Sequence, residues 1–195
     1  VTKRDEKTAA AIFESLLLTG IAMSFTKTSR PGSGTEHIMA HFWECMELLD
    51  SKTPNYHGED VGVTTLIMLR YYEALARLPQ VTAHPEICNW DEIYSIYGPL
   101  APDVQKLNTP DTITDGIAPR WIEACWPQIR RIVQSVPSYD ACLAAMRQAG
   151  CKTTIEEVGK APDFVDISFR FHPYMRRRLS LKRVSHMLDL PEDLF

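Results

Sequence analysis

Two histidines one helical turn apart, His37 and His41, follow a glycine-rich turn, and a third, His57, opens the next helical stretch. The turn reads Ser29-Arg30-Pro31-Gly32-Ser33-Gly34-Thr35-Glu36-His37, and the second segment reads Tyr56-His57-Gly58-Glu59. Residues four apart on a helix share a face. A helix, a loop and a second antiparallel helix can therefore bring all three imidazoles together, and neutral imidazoles on facing helices suit a divalent metal. The competing reading is ordinary: an HxxxH pair on an amphipathic helix occurs without any metal. Gly32 and Gly34 let backbone approach a ligand closely, and the helix that follows offers free amide donors to an anion. The helix dipole at the start of the segment after His57 disfavours protonation there.

Apolar residues elsewhere recur at helical spacing, and strand alternation is scarce, so the sequence predicts an all-α fold. At 195 residues the chain suits one domain, residues 1–195, with a sizeable core. Helices are expected over residues 8–25, 35–49, 58–78, 117–136, 139–150, 163–178 and 180–188, with short helices in a long excursion between His84 and Asp115. The first is apolar on most of its surface and is expected to be buried. Its run from Ile12 to Phe25 is interrupted by Glu14, Ser15, Thr19 and Gly20, and is expected to be too short to span a bilayer. Pro119 suits a first helical turn, Pro127 should bend or restart its helix, and Pro173 should break the next. Gly150 suits a C-cap, and Thr153-Thr154-Ile155-Glu156 fits a capping box expected to open a short helix that ends near Gly159.

A net charge of -4 argues against a general nucleic-acid partner or a membrane-surface role. Five scattered cysteines without a CxxC pair fit reduced thiols and a cytoplasmic location. The start at Val1 is read as a fragment of a longer polypeptide.

The glycine-rich turn with His37, the continuation His41-Phe42-Trp43-Glu44, and His57-Gly58-Glu59-Asp60-Val61-Gly62-Val63 resemble the sn-glycerol-1-phosphate dehydrogenase family, within the superfamily of iron-containing alcohol dehydrogenases, glycerol dehydrogenase and dehydroquinate synthase. The segment Phe169-Arg170-Phe171-His172-Pro173-Tyr174-Met175-Arg176-Arg177-Arg178-Leu179-Ser180-Leu181 resembles the family's C-terminal segment more loosely, with Arg177 in place of an Asp and Leu179 in place of a Tyr. The resemblance implies the all-α, multi-helix C-terminal domain of that fold, with an N-terminal nucleotide-binding domain absent from this chain. It implies an NAD(P)-dependent enzyme that reduces dihydroxyacetone phosphate, a phosphorylated triose, to sn-glycerol 1-phosphate, acting as a homo-oligomer without membrane insertion or nucleic acid.

By motif, His37 and His57 would be metal ligands for zinc, nickel or iron. His41 would be catalytic and substrate-binding, and Ser33 substrate-binding. NAD(H) or NADP(H) would bind through the missing domain. The family's third ligand is an Asp in a Gly-Asp setting. Asp5, the only Asp before the motif, lacks that setting, so the isolated chain is expected to be inactive. Glu36 and Glu59 are candidate partners behind the histidines. The cluster of Arg176, Arg177, Arg178, Lys182 and Arg183 is read either as a phosphate contact or as a solvated helix face. His84, His172 and His186 are expected at the surface or core edge. A glycerol dehydrogenase or dehydroquinate synthase relative, or a non-catalytic helical assembly module, are the alternatives.

Overall fold

The computed structural model describes residues 3, 5–192 and 194. Among the described residues it is all-helical, with a single isolated bridge between Ala83 and Leu188 in place of any sheet. The elements are α1 (Glu6–Thr26), α2 (Thr35–Leu49), α3 (His57–Arg77), α4 (Trp90–Tyr97), α5 (Ala101–Asn108), α6 (Pro119–Gln134), α7 (Tyr139–Ala149), α8 (Phe164–Phe171) and α9 (Leu181–Val184), with short 3-10 turns between several of them.

The core forms where α2 and α3 lie against each other and are covered by the later helices. Met39, Phe42 and Trp43 from α2 meet Val63, Met68 and Leu75 from α3, Tyr97 from α4, Val104 from α5, Trp126 from α6 and Phe169 from α8. The large aromatics bring a polar atom that is satisfied in place. Trp43 Nε1 donates to Ser168 Oγ at 2.6 Å, Tyr97 donates to the Phe171 carbonyl at 2.7 Å, and Trp126 Nε1 donates to the Leu78 carbonyl at 3.0 Å. The register of α2 against α3 is pinned by Thr64, whose hydroxyl donates to the Glu36 carbonyl at 2.9 Å.

A buried ionic group closes the loop between these two helices. Lys160 Nζ lies 3.0 Å from Glu47 and 3.2 Å from Asp60, and sits over the Trp43 ring. One buried cation shared by the buried Asp60 and the half-buried Glu47 specifies a single arrangement, because losing Lys160 or Asp60 strands a charge away from water.

Helix ends follow their local chemistry. Asp5 caps α1 by accepting from the Thr8 amide at 2.8 Å, so it is occupied as a helix cap. Pro119 begins α6, Gly150 ends α7 in the left-handed region at φ 73°, and Pro173 stands in the 3-10 turn that follows α8. Pro127 is carried inside α6, which runs through without a break. The segment at Thr153 forms turns in place of a helix. There the Glu157 carboxylate accepts from the amides of Thr153 and Thr154, which holds the chain in a tight loop.

The first helix departs from the sequence expectation. It has no buried residue, and Phe13, Leu16, Leu18 and Phe25 are exposed. Apolar composition says that a surface needs a cover, but does not say that this chain supplies it. The helix is also long and apolar enough to cross a membrane by length and composition, which corrects the expectation drawn from Ile12 to Phe25. The helix reaches back to Glu6, and two of the polar interruptions are internally satisfied. Ser15 donates to the Ala11 carbonyl and Thr19 to the Ser15 carbonyl, each at 2.8 Å.

Candidate metal centre

The buried side of α2 carries Ile38, Met39, Phe42 and Trp43. That placement turns the stripe of His37, His41 and Glu44 away from the core and toward the start of α3, where His57 stands as the first helical residue. The rings of His41 and His57 stack at 4.7 Å between centroids, and those of His37 and His57 lie 5.3 Å apart. Three imidazoles from two helices thus converge.

Each ring is held by a carboxylate through the same nitrogen. His37 Nδ1 is 3.0 Å from Glu36 Oε1, His41 Nδ1 is 2.8 Å from Glu44 Oε2, and His57 Nδ1 is 2.5 Å from Glu44 Oε1. A carboxylate accepting from Nδ1–H fixes the tautomer that leaves Nε2 with its lone pair, which is how metal-binding imidazoles are commonly oriented. Ligand atoms of His41, Glu44 and His57 all lie within 4.8 Å of one another, the spacing of a group able to hold a cation. His37 adjoins this group through its ring contact with His57 and is not itself a member. The donor set, imidazole nitrogen with carboxylate oxygen, suits a borderline divalent ion such as zinc.

Burial opposes ionisation of Glu44, but the hydrogen bonds from His57 and His41 outweigh it and hold the carboxyl below its usual range. The group is half-buried, with side-chain exposures of 26% for His37, 36% for His41 and 44% for His57, so an ion and a substrate both have access.

Gly34 explains how Glu36 reaches its place. A Cβ at Gly34 would lie 2.4 Å from the Glu36 carboxylate, so that carboxylate would have to swing out of its place. Without one, the Gly34 amide donates to Glu36 Oε1 at 2.9 Å, and the same oxygen faces His37. Glu59 goes elsewhere, to Lys152 at 2.8 Å. Its place in the first turn of α3 points it away from the rings.

Ser33 lies at the head of the site but faces Arg178, whose Nη1 donates to the Ser33 carbonyl at 2.5 Å. Arg176, Arg177 and Arg178 follow the 3-10 turn after α8 and are therefore not a helix face. His172 is fully buried, with Nδ1 on the Ser168 carbonyl at 2.7 Å, and His186 is mostly buried. His172 belongs to the core, against the expectation of a surface or edge position, whereas His186, with its side chain 17% exposed, stands at the core edge as expected. Glu44 was within reach of the sequence: it sits three residues past His41 and seven past His37, on the same stripe.

An all-α domain with a histidine–carboxylate cluster of the kind that holds a divalent metal is the class that fold and site define. The chain is 26% identical over 190 residues, 97% of its length, to a glycerol-1-phosphate dehydrogenase of Geobacillus stearothermophilus named as NAD(P)+-dependent. It is 25% identical over 185 residues to the corresponding protein of Bacillus subtilis, and 39% identical over 64 residues to that of Thermococcus kodakarensis, the last match covering 33% of this chain. Relatives named glycerol-1-phosphate dehydrogenase thus match nearly all of this chain at 25–26% identity. It spans about 40% of the length of the first of these relatives and 37% of the second. No family model matches the chain, and no solved structure matches it.

Proposed function

We propose that this chain supplies the metal-holding C-terminal part of an NAD(P)-dependent sn-glycerol-1-phosphate dehydrogenase, which reduces dihydroxyacetone phosphate to sn-glycerol 1-phosphate. The observation that carries the reading is the convergence of His37, His41 and His57 with each Nδ1 on a carboxylate. His37 and His57 would hold the metal through Nε2, kept in orientation by Glu36 and Glu44. A divalent ion held there would supply Lewis-acid polarisation of a ketone oxygen. His41 would pass a proton toward the product hydroxyl while Glu44 keeps its ring aligned. Ser33 would line the substrate end of the site. A nicotinamide cofactor would supply the hydride, and in this reading its binding domain lies outside this chain.

Elemental analysis and turnover of the full-length protein test the reading. His37→Ala and His57→Ala should each deplete the bound metal and abolish reduction of dihydroxyacetone phosphate by NADH or NADPH. Metal content equal to that of the unaltered protein in both variants would count against the assignment.

A second reading, a helical module used for assembly into a homo-oligomer, is favoured by the exposed apolar residues of α1. Full turnover with intact metal in the unaltered protein would set it aside.

A further inference from the structure

The N-terminal end of α4 and the C-terminal end of α8 enclose a cavity of about 290 Å³. Its walls are apolar, from Ile87, Ile93 and Phe171. The mostly buried Tyr174 and His186 form its floor, and the exposed Glu92 and Arg170 stand at its mouth. The cavity is separate from the histidine centre. His186 Nε2 is 3.1 Å from Lys182 Nζ, which lies over the Tyr71 ring, and Tyr71 follows His57 by fourteen residues of α3, about 21 Å of helix.

The mouth carries one charge of each sign. Glu92 sits in the first turn of α4 and Arg170 in the last turn of α8, where the helix dipoles favour those charges. Arg170 Nη2 donates to Glu92 Oε1 at 2.5 Å. That contact leaves the rest of the guanidinium fork free, and Glu92 Oε2 has only Asn89 Nδ2, at 3.5 Å. The floor is loosely satisfied. The Tyr174 hydroxyl is 3.4 Å from Glu86 Oε1, 3.3 Å from His186 Nδ1 and 3.8 Å from Cys88 Sγ, all at the long end of the hydrogen-bond range. Against its ring lies the fully buried Arg183, whose Nη2 has no hydrogen-bond partner among the described residues.

A lone anion at this mouth would face Glu92, and a lone cation would face Arg170. A zwitterion meets neither objection. Its carboxylate takes the open side of Arg170 and its ammonium takes Glu92 Oε2, so four charges alternate and the protein's own pair stays intact. The apolar walls then receive an aliphatic chain. A volume near the lower bound for small-molecule pockets, about 300 Å³, limits the ligand to the size of an amino acid.

We propose that the cavity between α4 and α8 binds a free α-amino acid with a large aliphatic side chain, its carboxylate on Arg170 and its ammonium on Glu92. The site stands independently of the proposed function and needs neither metal nor nicotinamide.

Calorimetric titration at low ionic strength tests this with L-leucine, isopentylamine (leucine without its carboxylate), isocaproate (leucine without its ammonium) and glycine. Leucine should bind saturably, and each of the other three should bind about tenfold or more weakly. Arg170→Gln should weaken leucine about tenfold and leave isopentylamine no weaker; Glu92→Gln should weaken leucine similarly and leave isocaproate no weaker. Both side chains are well exposed, so neither change threatens the fold, and the ligand series needs no variant at all. His37→Ala should leave leucine affinity as it was. Absent leucine binding, glycine binding as tightly as leucine, or unchanged leucine affinity in either charge variant would overturn the proposal. Loss of leucine binding in His37→Ala would overturn its independence from the histidine centre.

Discussion

Glu44 Oε1 lies 2.5 Å from His57 Nδ1, joining α2 to α3 across thirteen residues, while its other oxygen holds His41. One carboxylate thus orients two of the three imidazoles. It also offsets positive charge when a cation is bound, because the carboxyl stays ionised below its usual range.

Removing that carboxylate should be felt at the metal. Glu44→Ala frees His41 and His57 to rotate, and loss of such an orienting partner typically lowers metal affinity by about 10–100-fold. Competition with a zinc chelator measures it directly. Glu59→Ala serves as the comparison, since Glu59 is engaged by Lys152 and should change affinity little. Equal affinities for Glu44→Ala and the unaltered protein would show that Glu44 has no part in the centre.

The histidine cluster was legible because its information is local. His37 and His41 share a helical face by spacing, and the glycine-rich turn fixes where that helix begins. The all-α class and the bounds of α2 followed from the same periodicity. Glu44 carries the same spacing signal as His41, but an acidic residue on a helix has many cheaper uses, so spacing alone did not single it out. The partnership of Arg178 with Ser29 and Ser33 joins residues about 145 or more apart, and nothing in a linear pattern encodes it. His172 misled for the opposite reason: a histidine reads as polar, yet this one fills core volume with its Nδ1 on a carbonyl. The exposure of α1 was invisible because apolar content reports a need for burial and not where the cover comes from.

The contrast between α1 and α3 gives a stability test. Leu16 is 66% exposed and Leu75 is 1% exposed. Leu75→Ala should cost about 2–5 kcal/mol through lost transfer energy and a cavity. Leu16→Ala should stay within about 0.5 kcal/mol. Urea unfolding of the 195-residue chain measures both. A large loss for Leu16→Ala would mean that α1 is packed in solution.

Trp43 and Ser168 form a buried pair whose loss has two parts. Trp43→Phe removes the donor, leaving the Ser168 hydroxyl, which still donates to the Phe164 carbonyl at 2.6 Å. The expected cost is about 1–3 kcal/mol, because shape is largely kept and one hydrogen bond goes. Trp43→Ala should cost more, about 3–5 kcal/mol. Since Lys160 also rests over the indole, either change should loosen the Glu47–Lys160–Asp60 group. Faster hydrogen exchange at the start of α3 would report that loosening, and exchange unchanged in Trp43→Ala would argue against the coupling.

The acid and base limits of stability should be set by buried cations and phenols away from the metal centre. Lys182 contacts Ser185 Oγ and His186 Nε2 and lies over the Tyr71 and Phe169 rings; burial pushes its ammonium down from 10.5 to about 7. Between those values the unfolded chain binds the proton more than the folded one, so stability rises with pH through that window. His172, pushed from 6.5 to about 3 by burial, acts with the same sign at lower pH, and stability falls as pH drops from 6.5 toward 3. Tyr71 and Tyr72, pushed by burial from 10.0 to about 12, act oppositely: above pH 10 the unfolded phenols ionise first, and stability falls. The thermal midpoint should therefore climb from pH 7 to a maximum near pH 10 and then decline. Lys182→Met keeps the stem's apolar contacts and removes the charge, so it should raise the midpoint at pH 7 and flatten the climb. A midpoint in the unaltered protein that stays level or drops between pH 7 and pH 9 would show that Lys182 reaches water in the folded state.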